Sequence, residues 1–428
     1  MTRQQIIKKA VLGAIVLGIG GRWWLGAREP VVNIPNRALP NPNAYDVYVR
    51  ATKQLSREKD AGDALPIAEK PAKMTKTQRT ALVRENAPAL ATLRSGLALE
   101  YGEPPARSFT DLFPYLAGYR SLTRMLVVEG NSKKEAGDMS GAASSYLDAV
   151  QFGGHVANGG PLIHRLVSLA CEAIGRKALW QSIQQLDAPT AKAATRRMET
   201  ISARHIPLAR TFEEEKYLAQ SSMLELFRNP TALKEAYAQT DSDSDNDSAE
   251  HAANKYAAAN FMYLIWSKQT IIDNNTRYMD ELCRQAALPY AARKPIPVPS
   301  DILNAILLPV FGGAQIKDVT TQTEDALLTT ALALQAYKKE HQGTAPATLN
   351  DLAGAYLSQV PNDPFSVDGK TPLRYYRTEH GFTLYSVGPD GKDDGGKAID
   401  NPKSHTESER HRIEADSKGD IVAGINLS

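Results

Sequence analysis

The sequence predicts a multidomain chain: an amino-terminal membrane anchor, an all-α helical domain, and a small carboxy-terminal α+β domain with a helix on an antiparallel sheet. Three observations carry that expectation. A chain of 428 residues is longer than one ordinary core organises. Apolar residues recur at helical offsets from about residue 44 to about residue 287, and the Gly and Pro punctuation falls between the periodic segments. Beyond residue 318 the pattern passes from one helix to strand alternation and a Gly/Asp loop. Hydrophobic residues at 42% and charged residues at 23% exclude collagen-like and wholly disordered classes, and a formal charge of +2 gives no electrostatic case for nucleic acid as a partner.

Residues 1–27 read as a membrane anchor or signal. Arg3, Lys8 and Lys9 precede an uncharged run from Ala10 to Gly21, followed by Arg22, Trp23 and Trp24. Twelve helical residues reach about 18 Å, short of the roughly 30 Å of a bilayer core. Ile6 and Ile7 lengthen the run, because lysine stems snorkel and tryptophans suit the headgroup belt. The expectation is a single pass through the inner membrane with the bulk of the chain extracytoplasmic, in the periplasm. Secretion after signal cleavage is the alternative, although no small residue stands three positions before a cut after Ala27.

A Pro-rich stretch, residues 28–43, then reads as a stalk, and residues 44–300 as the all-α domain. Its periodic segments include "AYDVYVRATKQL", "NAPALATLRSGLALEY", "LFPYLAGYRSLTRMLVVEG", "PLIHRLVSLACEAIGRKALWQSIQQL" and "TFEEEKYLAQSSMLELFRN". Within it "GNSKKEAGDMSGAASSYLDAV" places Gly130 in one helix and Ala142, Tyr146 and Ala149 in the next, spacings that allow two helices to approach closely; the stretch resembles one degenerate tetratricopeptide unit near residues 122–154, and an ordinary αα-hairpin fits it too. "TDSDSDNDSAE", residues 240–250, has Asn246 and Ala252 where a calcium loop needs Gly and Glu, so it reads as a linker. Cys171 and Cys283 read as core hydrophobes, or as one disulfide outside the cytoplasm.

Four prolines and two glycines around a short apolar helix mark residues 301–317 and the positions just before them as a linker. Residues 318–428 follow as the α+β domain: a helix with a stripe of Leu328, Ala331, Leu332, Gln335 and Ala336 ended by Gly343, a short capped helix after Thr348, and strands "PLRYYRT" and "GFTLYSVG" turning at Glu379 and His380. A polar insertion occupies residues 401–418. "GFTL" matches a prepilin cleavage motif, but polar loop follows it instead of a membrane helix, so it reads as half-buried strand.

"ALALQAYKKEHQGTAPATLNDL", "VPNDPFSVDGKTPLRYY" and "GFTLYSVGPDGKDDGG", about residues 324–396, resemble the globular domain of the major pseudopilin of type II secretion systems. Tyr337, Gly343, Pro346, Asp363, Pro364, Phe365, Pro372, Tyr375, Tyr385, Ser386, Gly388, Asp390 and Gly391 stand at matching places. The family's processing motif and long membrane helix are not found directly before this stretch, so pilin-like polymerisation is not expected.

In the loop, Asp390, Asp393 and Asp394 supply carboxylates, while Gly391 and Gly395 let the backbone turn its carbonyls inward, a donor set of the kind calcium takes. The resemblance implies that oxygens near Tyr385 and Ser386 join them, with an acid farther on, for which Asp420 is the candidate. A solvent-exposed Asp/Gly turn without metal fits the same residues.

Catalytic motifs are not found. The eight histidines form no HExxH pair, and neither a GxSxG elbow nor a GxxxxGK[ST] loop occurs. Glu213 and Glu214 of "FEEEK" read as a charged helical face, and "ANGGPLIHR" as a helix start after a Gly turn. The expected function is therefore that of a non-enzymatic envelope protein, a helical scaffold presenting a pseudopilin-like domain to envelope or secretion proteins, with the membrane reached through the amino-terminal helix. A helical-repeat peptide-binding protein is the alternative, and an envelope hydrolase the third reading.

Overall fold

The computed structural model describes residues 28–56, 75–229, 266–301, 311–379, 381–402, 404 and 406–426, together with residues 21, 24, 26, 303, 304 and 308. The expected anchor falls almost wholly outside these residues, and so does the acidic stretch 240–250. Among the described residues no helix is long and apolar enough to cross a membrane. The fold is mostly helical with one small three-stranded antiparallel sheet.

Nine helices of ten residues or more lie among the described residues: α1 (Ala44–Lys53), α2 (Lys76–Gly96), α3 (Tyr115–Glu135), α4 (Met139–Val156), α5 (Leu162–Trp180), α6 (Ala188–Ser202), α7 (Leu208–Arg228), α8 (Lys268–Ala286) and α9 (Gly312–Glu340). Local chemistry starts several of them. Asn43 accepts from Tyr45 N at α1, Thr75 and Gln78 form a capping box at α2, and Asp138 and Asp187 accept the amides of Gly141 and Thr190, the third residues of α4 and α6. The hairpin of α3 and α4 closes tightly, because a Cβ at Gly130 would run into the ring of Tyr146. α5 crosses α4 equally closely: a Cβ at Gly153 would lie 2.7 Å from Glu172 N, and one at Gly175 would lie 2.8 Å from Tyr146 O. Antiparallel α7 and α8 are joined through Lys216–Asp280 (2.7 Å) and Gln220–Thr276 (2.8 Å).

The Pro-rich segment 28–43 runs as irregular chain along these helices. Val31 N donates to Gln269 Oε1 at 2.8 Å, and Arg37 reaches Glu214 at 3.1 Å while also donating to the carbonyl of Glu103. Glu214 is thereby buried between Arg37 and Arg107, and Glu215 accepts from Leu162 N at 2.7 Å. Two of the three acids in "FEEEK" thus face inward rather than solvent. Both cysteines are free, Cys171 buried and Cys283 half-buried.

Helix α9 begins six residues before residue 318 and packs on α6 and α5. Gly312 and Gly313 fit its first turn, where nothing lies within 4 Å of an added Cβ and the amides lack helical partners anyway. The helix ends as expected, with Gly343 at φ +87° donating to Lys338 O. A 3-10 turn, Leu349–Leu352, carries the Thr348/Asp351 capping box. Strand β1 (Arg374–Thr378) pairs antiparallel with β2 (Gly381–Ser386) in the register Thr378 to Gly381, and β2 pairs with β3 (Ile421–Val422). The short helix α10 (Glu407–Arg410) folds the polar insertion back, with Arg410 on Asp400 at 2.8 Å. One core runs through both regions: Tyr146, Leu179 and Met198 from α4, α5 and α6 pack with Leu332 of α9 and with Leu384 and Ile421 of the sheet.

Candidate functional site

Two places gather carboxylates. The first is the Asp/Gly loop after β2. Its glycines turn the chain through left-handed conformations, with Gly388, Gly391 and Gly395 at φ near +70°. At Gly388 a Cβ would also strike the carbonyl of Gly419. Asp420 is fully buried, and its carboxylate accepts Gly396 N at 2.7 Å and Asp394 N at 3.3 Å, which fixes the loop to β3. Ser386 is equally buried and donates to Asp363 Oδ1 at 2.6 Å, while Asp363 also accepts Val387 N (2.9 Å) and Phe365 N (3.0 Å). Asp390, Asp393 and Asp394 are exposed. Asp393 takes Tyr385 Oη at 2.9 Å and Arg374 Nε at 3.0 Å; Asp390 accepts the amide of Lys392 at 3.1 Å, closing the turn.

Burial raises the Asp420 and Asp363 carboxyls above their ordinary range, although hydrogen bonds to the carboxylate oppose this at both; at Asp420 the charges of Asp393 and Asp394 raise it further. Among the described residues, however, no three acids, histidines or cysteines converge in a metal-holding arrangement, and Asp393 is engaged by Arg374 and Tyr385. The oxygen donors fit calcium in kind, provided that Arg374 withdraws.

The second place lies between α5, α6 and α9. Arg165, only 1% exposed, is paired with Asp318, and its Nη2 lies 3.0 Å from His205 Nε2. Arg176 contacts Asp325 at 3.0 Å, Glu324 at 2.8 Å and Glu172 at 3.6 Å. Four carboxyls therefore meet two guanidiniums in direct contact. A third, Arg293, donates to the carbonyls of Ala286 and Leu288. Burial raises the Glu172 carboxyl, and the charge of Asp325 adds to it; burial likewise raises Asp325 against the pull of Arg176. His205 is lowered by burial first. Such a network is costly to bury and is weak as a device for stability alone.

The cluster borders two spaces that share lining residues. A chamber of about 40 Å³ is lined by Arg165, Glu172, Ser202, His205 and Asp325 among others. Ser202, His205 and Asp325 also line a cleft of about 510 Å³, whose far wall is Ser358 to Pro364. Glu199 holds that wall, accepting Ser358 N at 2.7 Å and Ser358 Oγ at 3.0 Å.

Sequence reading singled out the residues of the loop, and the fold brings Ser386 and Asp420 to its base, Asp393 and Asp394 near them, and Asp390 to its exposed tip. It gave Asp363 a place in a motif but no role, and the α5–α9 cluster no place at all. Neither a family model, nor a curated protein, nor a solved structure matches the chain.

Proposed function

We propose that the protein is a membrane-anchored, extracytoplasmic, non-enzymatic scaffold that presents its pseudopilin-like terminal unit to envelope or secretion proteins. The observation that carries this reading is the join between the two regions: the unit built on α9 shares its core with α4, α5 and α6, and buried ion pairs lock α9 to α5. A partner binding the sheet or the Asp/Gly loop then meets a rigid body rather than a tethered bead. Calcium belongs to this proposal as the ligand of Asp390, Asp393, Asp394 and Asp420, with Ser386 at the base of the loop.

Two measurements test it. A reporter active only outside the cytoplasm, fused after residue 428, is expected to be active, and an inactive fusion contradicts the reading. Calcium is expected to raise the melting temperature of the full chain, because a ligand that binds only the folded state stabilises it. Asp420→Ala abolishes that rise; equal melts in calcium and chelator remove calcium from the proposal.

A further inference from the structure

We propose that the end of the α7–α8 hairpin carrying Phe227 and Lys268, together with residues 28–31, lies against the headgroup layer of a lipid bilayer; this rests on the reading of residues 1–27 as a membrane anchor. The place where the chain enters the fold selects that end. Val31 is tied to the first turn of α8, its amide donating to Gln269 Oε1 at 2.8 Å and its carbonyl accepting Gln269 Nε2 at 3.5 Å. Glu29 accepts Nε of Arg228, the last residue of α7, at 2.7 Å. Lys268 Nζ donates to the Phe227 carbonyl at 3.4 Å, so the two helix ends meet. Val32 then packs into the cluster of Leu226, Phe227, Ile271 and Ile272 between them.

The tether to the anchor is short. Trp24 is 59% exposed, and the guanidinium of Arg28 lies over its ring, 4.1 Å from the centroid. An indole capped by a guanidinium has an apolar body and a charged rim, the composition of a headgroup belt. Trp24 and Val31 are seven positions apart, and even a fully extended chain of that length spans at most about 25 Å. With Trp24 at the interface, the hairpin end that holds Val31 is therefore confined close to the bilayer.

The surface at that end suits such a neighbour. Val31 is 85% exposed although its backbone is fixed by two hydrogen bonds. The charged groups nearest the entry are Arg28, Arg228 and Lys268 against Glu29, while Glu225 and Asp273 stand about a turn farther along α7 and α8. Cations at the rim draw anionic headgroups, and an apolar side chain between them enters the acyl boundary. The opposite end of the hairpin carries α9, because Phe311 packs there with Phe212 and Leu282. Seating the first end on the bilayer thus directs the terminal unit away from it.

Fluorescence quenching of the full chain in lipid nanodiscs tests this. The discs contain phosphatidylglycerol and a phosphatidylcholine bearing a nitroxide on its headgroup. A bimane label is placed at Val31→Cys or at Arg284→Cys, the latter about 24 Å along α8 from Lys268. Cys283→Ala removes the half-buried native thiol, and Cys171 is fully buried. Quenching at position 31 is expected to be at least threefold that at position 284, and Arg28→Gln combined with Arg228→Gln is expected to reduce it about twofold. Equal quenching at the two positions, stronger quenching at 284, or no response to the double substitution overturns the proposal. A chain that does not enter the discs at all removes the anchor reading and this inference with it, whereas a chain that enters them without the contrast removes this inference alone.

Discussion

Asp420 in the terminal loop and Asp325 in the cleft are both buried acids with raised pKa values, but they are held differently. Asp420 is met by backbone amides of its own loop, and Asp363 beside it by a hydroxyl and two amides. Those donors are neutral and short-range, and they shape a turn. Asp325 is met by a guanidinium that two other carboxyls, Glu172 and Glu324, also contact, so one buried cation serves three acids. The first arrangement closes on itself as architecture, whereas the second crowds three acids around one guanidinium beside open space.

Breaking one member of each arrangement separates the two. Asp318→Ala leaves Arg165 buried without its carboxylate, and the expected loss is about 3–5 kcal/mol in denaturant unfolding. Replacing Arg165 and Asp318 together by Met and Leu is expected to recover most of that loss. Asp363→Ala orphans the Ser386 hydroxyl and two amides, with an expected loss of about 2–3 kcal/mol. Amide exchange should report the Asp363 effect first in β2 and the Asp318 effect first along α9. If both variants loosen the same amides, the contrast between the two places fails.

A smaller effect sharpens it through pH. Because the folded pKa values of Glu172 and Asp325 are raised, the stability these groups contribute is complete below their unfolded values and is lost as pH rises through the folded ones. The wild-type protein is therefore expected to lose stability more steeply than Glu172→Gln as pH rises above the ordinary carboxylate range. His155 acts in the opposite sense: burial lowers it to about 4, so its contribution disappears as pH falls from about 6.5 towards that value. Thermal melts of Glu172→Gln and His155→Gln across pH separate the two contributions.

The uneven legibility of the sequence follows from the same contrast. The loop was readable because its chemistry is local: Ser386, Asp390, Asp393 and Asp394 lie within nine positions, and glycines mark each turn. The helices were readable from apolar spacing, apart from α6, whose "APTAKAATRRMETIS" is polar enough to be overlooked. The cleft was not readable because its partners are about 150 positions apart in sequence, 153 for Arg165 and Asp318 and 149 for Arg176 and Asp325. The polar letters of α9 concealed it as well. Thr323, Thr329 and Thr330 are buried, each donating its hydroxyl to the carbonyl four residues back, which allows a helix to be enclosed on faces that read as solvent-exposed. The run of threonines around Asp318, Glu324 and Asp325 was the available signal, since threonine is a poor choice for an exposed helix.

The crowding of Glu172, Glu324 and Asp325 around Arg176 is the claim on which the rest depends, and carboxyl-carbon NMR titration of Glu172 and Asp325 reads it directly. At least one of the two is expected to titrate upward of the ordinary carboxylate range, with Glu172→Gln lowering the value for Asp325. Two independent titrations at or below about 4.5, unchanged by that substitution, would contradict it.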